Sequence, residues 1–370
     1  ARTFFLSPPT MYNLLINYKL LLQRQDIIVD NAIFRLHYQL TTVLLLVFSA
    51  IITASQYVGS PIECMNDNSI PTYVINTYCW ITSTFSMPDA FRREVGSEVP
   101  HPGVGPMDEF EPAKYYTYYQ WVVFVLFFQA ILCYIPKWLW SIWEGGLLET
   151  LVMDLNIGTI HEEEKKSKQK TLIDYMLKHI KRHNGYAIRY YLCEVLCLVN
   201  IVGQMYLMNI FFDNEFMSYG LKVLEFSKQE QDNRVDPMIY IFPRVTKCTF
   251  HSFGPSGTIQ VHDSICILPL NIINEKSFIF LWFWYIIMAT LLSGLVLYRL
   301  VILSTPVIRP TLLHWRCAII SKDRAKEVVE KVSLGDWWVL YMLARNIDHL
   351  AYKEIISELS NRIATEDSNK

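Results

Sequence analysis

The sequence predicts an all-α membrane protein, a four-transmembrane-helix bundle with disulfide-braced extracellular loops around a small β element and a helical cytoplasmic dome. Three observations predict it. Four charge-poor apolar stretches are long enough to cross a ~30 Å hydrocarbon core, which takes about 20 helical residues. Aromatic residues gather at both ends of the second stretch, as at two membrane interfaces. Lys and Arg are distributed unevenly among the segments between the stretches. Composition agrees: 52% of the 370 residues are hydrophobic and only 18% charged, against ~25% charged in an ordinary soluble domain. The mean hydropathy of +0.20 is modest because it averages apolar spans with long polar segments. A net charge of -2 leaves no basic excess to neutralise a phosphate backbone and argues against a nucleic-acid partner.

The first 39 residues open on an amphipathic pattern. Met11, Leu14, Leu15, Tyr18, Leu21 and Leu22 recur at i, i+3, i+4, i+7 spacing. Such a helix is either a pore funnel or an interfacial helix lying on the membrane, and the residues alone do not choose. Residues 40–58 form the first span, with no Asp, Glu, Lys or Arg between Arg35 and Glu63. It is the expected insertion signal, because residues 1–39 are too long and polar for a cleavable n-region. Thr42, Ser49, Thr53 and Gln56 fall within an arc of about 60° at ~100° per residue. That hydroxyl and amide face either lines water or supplies polar contacts between helices. A neutral polar lining would select by size more than by charge.

Residues 59–114 are the first outside loop and 115–140 the second span. Tyr115, Tyr116, Tyr118, Tyr119 and Trp121 stand at one end of that span, and Tyr134, Trp138, Trp140 and Trp143 at the other. The roughly 19 helical steps from Tyr119 to Trp138 cover about 28 Å, one hydrocarbon thickness. Residues 141–189 are an inside loop, helical over 171–182. The basic run there places His179 and His183 on a solvated face. Residues 190–212 are the third span and carry Glu194, the one acidic residue inside a span, about a helical turn from its cytoplasmic end. Intramembrane ionisable groups are functional candidates by default. Glu194 is therefore a possible gating residue, with snorkelling or pairing to Arg189 as the bland alternatives. Residues 213–276 form the second outside loop, β-prone over 246–268 around Gly254-Pro255-Ser256-Gly257. Ordinary loop roles are expected there for His251 and His262. Residues 277–298 are the fourth span, and 299–370 a helical C-terminal region in which Asp336 is an expected N-cap.

Lys plus Arg number four in 1–39, eight in 141–189 and eleven in 299–370, against three in 59–114 and six in 213–276. The positive-inside rule makes the termini and the middle loop cytoplasmic. The eight cysteines then sort by compartment. Cys64 and Cys79 lie in one outside loop and Cys248 and Cys266 in the other, an oxidising-side pattern. Spacing does not decide whether they pair between the loops or within each. Cys193 and Cys197, one helical turn apart, read as packing residues rather than metal ligands. No nucleophile constellation, P-loop or repeated metal-ligand spacing is present, so no catalytic residue, metal site or cofactor is expected.

Tyr118-Tyr119-Gln120-Trp121-Val122 resembles the YYQWV signature of innexins, the invertebrate gap-junction proteins. Pro61-Ile62-Glu63-Cys64, Tyr78-Cys79-Trp80, Pro102-Gly103-Val104-Gly105, Cys248-Thr249-Phe250-His251, Phe253-Gly254-Pro255-Ser256-Gly257 and Leu268-Pro269-Leu270-Asn271 resemble innexin segments in the same order. Two cysteines per outside loop fit innexins rather than connexins, which carry three. The resemblance implies a plasma-membrane, multi-pass gap-junction channel subunit with no enzymatic chemistry. Its implied partners are other innexin subunits in a homo- or hetero-oligomeric ring (an octamer by family resemblance), a docked hemichannel of the neighbouring cell, and membrane lipid. It also implies disulfides Cys64 to Cys266 and Cys79 to Cys248, and a pore mouth built by the N-terminus. Met11, Asn13, Asn17, Thr42, Ser49, Thr53 and Gln56 are the pore-lining candidates on that reading. Met11 aligns with where innexins usually begin, which makes residues 1–10 an extra segment. Neither outside loop holds an N-x-Ser/Thr acceptor, so no bulky glycan obstructs close apposition. The alternatives are an undocked, pannexin-like hemichannel and a four-span junctional adhesion or scaffold protein.

Overall fold

The computed structural model describes residues 27–66, 70–106, 113–153, 155, 161–226, 228 and 236–368. Met11, Asn13, Asn17 and residues 1–10 lie outside the described residues. In chain order the elements are α1 (Ala32–Val58), β1 (Glu63–Met65), α2 (Thr72–Ile81), β2 (Thr84–Ser86), β3 (Lys114–Tyr116), α3 (Val122–Glu144), α4 (Leu147–Val152), α5 (Glu162–Lys178) and α6 (Asn184–Phe211). There follow α7 (Phe216–Phe226), α8 (Pro237–Ile241), β4 (Val245–Phe253), β5 (Ile259–Ile267), α9 (Leu270–Ser304), α10 (Ile308–Arg316), α11 (Lys322–Lys331), α12 (Leu334–Leu343) and α13 (His349–Ser368).

Four helices, α1, α3, α6 and α9, are long and apolar enough to cross a membrane. Three begin earlier than hydropathy predicts; in α1 and α9 the charges in the added turns, Arg35 and Glu275, find partners in Asp30 and Arg244. Asn31 caps α1, its side-chain oxygen accepting the Phe34 N–H at 2.7 Å; a π-helical turn follows at Leu36–Thr41. The second span departs in the other direction. Its helix starts at Val122 rather than at Tyr115, because Lys114–Tyr116 is taken up as a strand against β2. Tyr116, Tyr118 and Tyr119 are accordingly buried packing residues rather than an interfacial belt, whereas Trp121 and Trp138 are exposed. Pro136 lies inside α3 and has no N–H to give the carbonyl of Leu132. Asn200 on α6 donates its side-chain N–H to that carbonyl at 2.5 Å.

The chain forms two compact units, and each long helix contributes one end to each of them. The first unit takes in 41–133 and 199–290. It holds a five-stranded antiparallel sheet of order β1-β5-β4-β2-β3. Phe85, Met87, Ala90 and Val99 cluster beside it. A second apolar centre is aromatic: the Tyr118 ring meets Phe212 and Phe242, and Phe242 stacks on Phe278 at 5.6 Å. Gly220 of α7 lets the Trp282 ring approach closely, since a Cβ there would sit 2.2 Å from it.

The second unit takes in 27–40, 134–198 and 291–368 among the described residues. It is helical and centres on α12, where Trp337, Trp338, Leu340 and Leu343 are all buried. The N-cap of α12 is Ser333, not Asp336. Asp336 instead occupies the third helical position of a capping box and returns its carboxylate to the Ser333 N–H. His183 is buried against it, Nδ1 to carboxylate 2.7 Å, and so does not belong to a solvated face. Burial alone would raise the Asp336 pKa. Hydrogen bonds from His183, Ser333 and the Lys181 N–H outweigh it and hold the carboxyl below the usual range. Gly335 is required at this junction, because a Cβ would lie 2.1 Å from the His183 carbonyl carbon.

Candidate functional site

In the sheet-bearing unit two disulfides tie the segment 59–114 to the segment 213–276. Cys64 and Cys266 are directly opposed on β1 and β5, and their disulfide has Cα atoms 3.9 Å apart. Cys79 on α2 reaches Cys248 on β4, with Cα atoms 6.0 Å apart. These are pairings between the segments, not within them. The sulfurs of Cys64, Cys79 and Cys266 lie within 4.8 Å of one another. All three are spent in disulfides, so the cluster offers no thiolate to a metal. Cys133, Cys193, Cys197 and Cys317 stay outside the disulfides and are buried.

The signature pentapeptide fastens this unit to its own helix start. Tyr119 donates its hydroxyl to the Cys79 carbonyl at 3.2 Å, Tyr118 donates to the Ile241 carbonyl at 3.0 Å, and Gln120 donates to the Trp80 carbonyl. Beyond the disulfides the β4–β5 hairpin continues as a two-stranded ribbon. β1 pairs only with Ile265–Ile267 and β2 meets β4 only at Lys247, so among the described residues the distal edges are uncovered. Its turn is closed by the Gly254 N–H donating to the Thr258 carbonyl, with Gly257 at φ +81°. Phe253, Ile259 and Val261 at this end are 78%, 66% and 63% exposed.

The polar face of α1 packs on α3. Thr42 donates to the Ala130 carbonyl at 3.5 Å and Ser49 to the Val123 carbonyl at 3.3 Å, and both are buried. This contradicts their placement on a water-lining face; they serve the helix-to-helix contact instead. Thr53 donates to the Ser49 carbonyl within α1, and Gln56 to the Tyr119 carbonyl; both remain half-buried. A cleft of about 560 Å³ lies among Asp89, Arg92, Glu215, Lys222, Asp236 and Tyr240. Its charges largely cancel, Lys222 against Glu215 at 2.7 Å and Asp236 against Arg244 at 3.6 Å.

In the helical unit Glu194 is fully buried, and its partner is not Arg189. Arg299 forms a bidentate pair with it, Nε to Oε2 2.7 Å and Nη2 to Oε1 2.8 Å. Asn31 donates to the same carboxylate at 2.5 Å. The Arg299 guanidinium also lies 4.5 Å over the Trp338 ring. Asp30, fully buried, accepts from Arg35 at 2.7 Å and from the Tyr38 hydroxyl at 2.8 Å, with the Lys137 ammonium at 3.6 Å. Hydropathy missed this cluster because Arg299 and Lys137 stand at span ends, where single charges look unremarkable. The polar pair Asp30-Asn31 just ahead of an apolar run was the available signal of a capped helix start.

Comparison with known proteins gives the geometry its context. The family model described as Innexin matches residues 30–363. Innexin inx1 of Schistocerca americana is 62% identical over 97% of this chain and 99% of its own length. Innexin inx1 of Drosophila melanogaster is 55% identical, covering 95% and 98%. Innexin shaking-B of Drosophila melanogaster is 50% identical over 90% of each. Matched from the capped start of α1 to the last turns of α13, the chain belongs to the innexin family, the subunits of invertebrate gap-junction channels, which are not enzymes.

Proposed function

We propose that this gap-junction subunit crosses the plasma membrane four times, with the sheet-bearing ends outside the cell and the helical unit forming a cytoplasmic dome. The Lys and Arg distribution supports that orientation, as do disulfides, which persist on the oxidising side. Copies of this chain, alone or mixed with other innexins, close into a ring around an aqueous conduit that passes ions and small metabolites; by family resemblance the ring is an octamer. The exposed apolar faces of the long helices, with Val47, Phe124, Ile131, Val199 and Ile287 among them, meet lipid or neighbouring subunits. The N-terminal segment with Met11, Asn13 and Asn17 builds the conduit mouth. Of the candidate pore-lining residues on α1, Thr53 and Gln56 remain available to water.

One observation carries the docking part of this reading. Two disulfides between the segments hold a hairpin whose far end has bare strand edges and three exposed apolar side chains. Uncovered edges recruit another chain, here the hemichannel of the adjoining cell. Recording current between paired cells tests the reading, together with a two-dimensional projection of the purified particle. Junctional current and a ring with a central opening are expected. Current across single membranes but never between cells would leave an undocked hemichannel, and adhesion without current would leave a scaffold.

A further inference from the structure

The five residues ahead of α1 adopt no helix or strand, yet four consecutive backbones among them are held by side chains. The Ile28 N–H donates to Asn346 Oδ1 at 2.6 Å, and Asn346 Nδ2 donates back to the Ile28 carbonyl at 2.9 Å. Trp140 of α3 donates its indole N–H to the Val29 carbonyl at 3.2 Å. Arg345 donates to the Asp30 carbonyl at 2.9 Å, and the Asn31 N–H donates to the Tyr190 hydroxyl oxygen of α6 at 3.0 Å. All of these groups belong to the helical unit.

Bonds to backbone fix the position of a segment whatever its side chains are, and so make a clamp rather than a packed core contact. The jaw of the clamp is itself rigid. Asn346 is 8% exposed, its N–H donates to the Leu343 carbonyl, and its side chain donates also to the Met342 carbonyl at the end of α12. A shift of α12 therefore pulls on Ile28 directly, and through Asn31 on the cap of α1 and on Glu194.

We propose that Asn346 and Arg345 are positioning residues through which the C-terminal helices set where the chain enters the first span, and thereby bias channel gating. The proposal rests on the reading above, in which α1 presents Thr53 and Gln56 to the conduit. The clamp makes the C-terminal helices a control point for the start of the first span, with no ligand needed to connect them.

Hydrogen exchange on the purified full-length protein in nanodiscs, paired with voltage-step recordings from coupled cells, tests it. Asn346→Leu removes both halves of the Ile28 contact. Exchange at the Ile28 amide should rise about fivefold, the change expected when one hydrogen bond of ordinary net worth is lost from a local opening equilibrium. The voltage of half-maximal conductance should shift while unitary conductance stays unchanged. Asn346→Asp keeps the acceptor for Ile28 N–H and should move both readouts less, in the same direction; it also carries the test if the leucine variant does not reach the membrane. Asn361→Leu, which loses only a contact to Arg324 in the same unit, should move neither. Faster exchange with unaltered gating, or the same gating shift from Asn361→Leu, overturns the proposal. Absence of current from the unmodified protein would instead strike the channel reading, while the exchange result would still report on the clamp.

Discussion

The two compact units of this chain solve the same problem with different chemistry. The sheet-bearing unit joins segments far apart in sequence by covalent bonds: Cys64 to Cys266 and Cys79 to Cys248 span 202 and 169 residues. The helical unit also joins segments far apart, with a buried ion pair and side-chain clamps, Glu194 to Arg299 and Ile28 to Asn346, at separations of 105 and 318 residues. On the proposed topology, compartment explains the choice: disulfides persist outside the cell and are lost inside it, so a unit placed in the cytoplasm joins distant segments by desolvated polar contacts instead.

Breaking the covalent side should have the largest effect. Cys79→Ser removes one closure worth at most about 5 kcal/mol by chain-entropy reasoning. Junctional conductance should vanish and reductant should then release a single remaining bridge, read as one mobility step on a non-reducing gel. Trp fluorescence from the helical unit, rich in Trp337 and Trp338, should be little affected by reductant, because neither disulfide belongs to that unit. Loss of helical-unit structure on reduction alone would erase the contrast.

On the polar side, Glu194→Gln leaves the Arg299 guanidinium buried without its counter-charge, at an expected cost of about 3 to 5 kcal/mol in thermal unfolding of the solubilised protein. Replacing the whole pair by apolar side chains, Glu194→Leu with Arg299→Met, should return most of the loss, since a buried ion pair is worth little more than a well-packed apolar pair. Arg189→Met, at an exposed position without contact to Glu194, should stay within about 0.5 kcal/mol of the parent. Equal losses from Arg189→Met and Arg299→Met would show that the carboxylate has a different partner.

This contrast also marks what was legible in the sequence. Features set by local pattern were readable: the existence of four apolar stretches, the grouping of Cys64, Cys79, Cys248 and Cys266, and a β-prone stretch at 246–268. Helix ends were not, because α1 begins at Ala32 only when Asp30 neutralises Arg35 and Asn31 caps the turn, and α9 runs past residue 298 only when Glu194 takes up Arg299. Hydropathy scores a charge by its type, whereas the fold scores it by its partner. The role of the hydroxyl face of α1 stayed open for a related reason: periodicity places Thr42 and Ser49 on one face but does not say what that face meets.

A third contact shows that some of the polar bracing was within reach. Proline in an apolar span deprives the carbonyl four residues earlier of its donor, and an asparagine in the next span is an obvious candidate to replace it. Asn200→Leu should orphan the Leu132 carbonyl at about 2 kcal/mol. Pro136→Ala restores an N–H to the helix, so the double variant should recover most of that loss in a double-variant cycle. An additive cycle would mean that Asn200 stabilises the sheet-bearing unit through something other than this carbonyl.

The smallest expected effect is a pH dependence confined to the helical unit. The Asp336 carboxyl is held below its ordinary value, near 3.9 in an unfolded chain, by hydrogen bonds that outweigh its burial. A depressed carboxyl binds fewer protons folded than unfolded, so its stabilisation is complete above the unfolded value and drains away as pH falls through the folded one. The stabilisation of the parent over Asp336→Asn, read as a difference in thermal midpoint by tryptophan emission, should therefore narrow as pH falls below about 4. Because His183 faces the same carboxylate, Asp336→Asn should also remove the contact that buries the imidazole, and His183→Gln should reproduce part of the neutral-pH loss without the narrowing. If the gap between parent and Asp336→Asn instead widened toward acid, the carboxyl would be protonating more readily in the folded protein, and the junction at Gly335 would be held by shape rather than by charge.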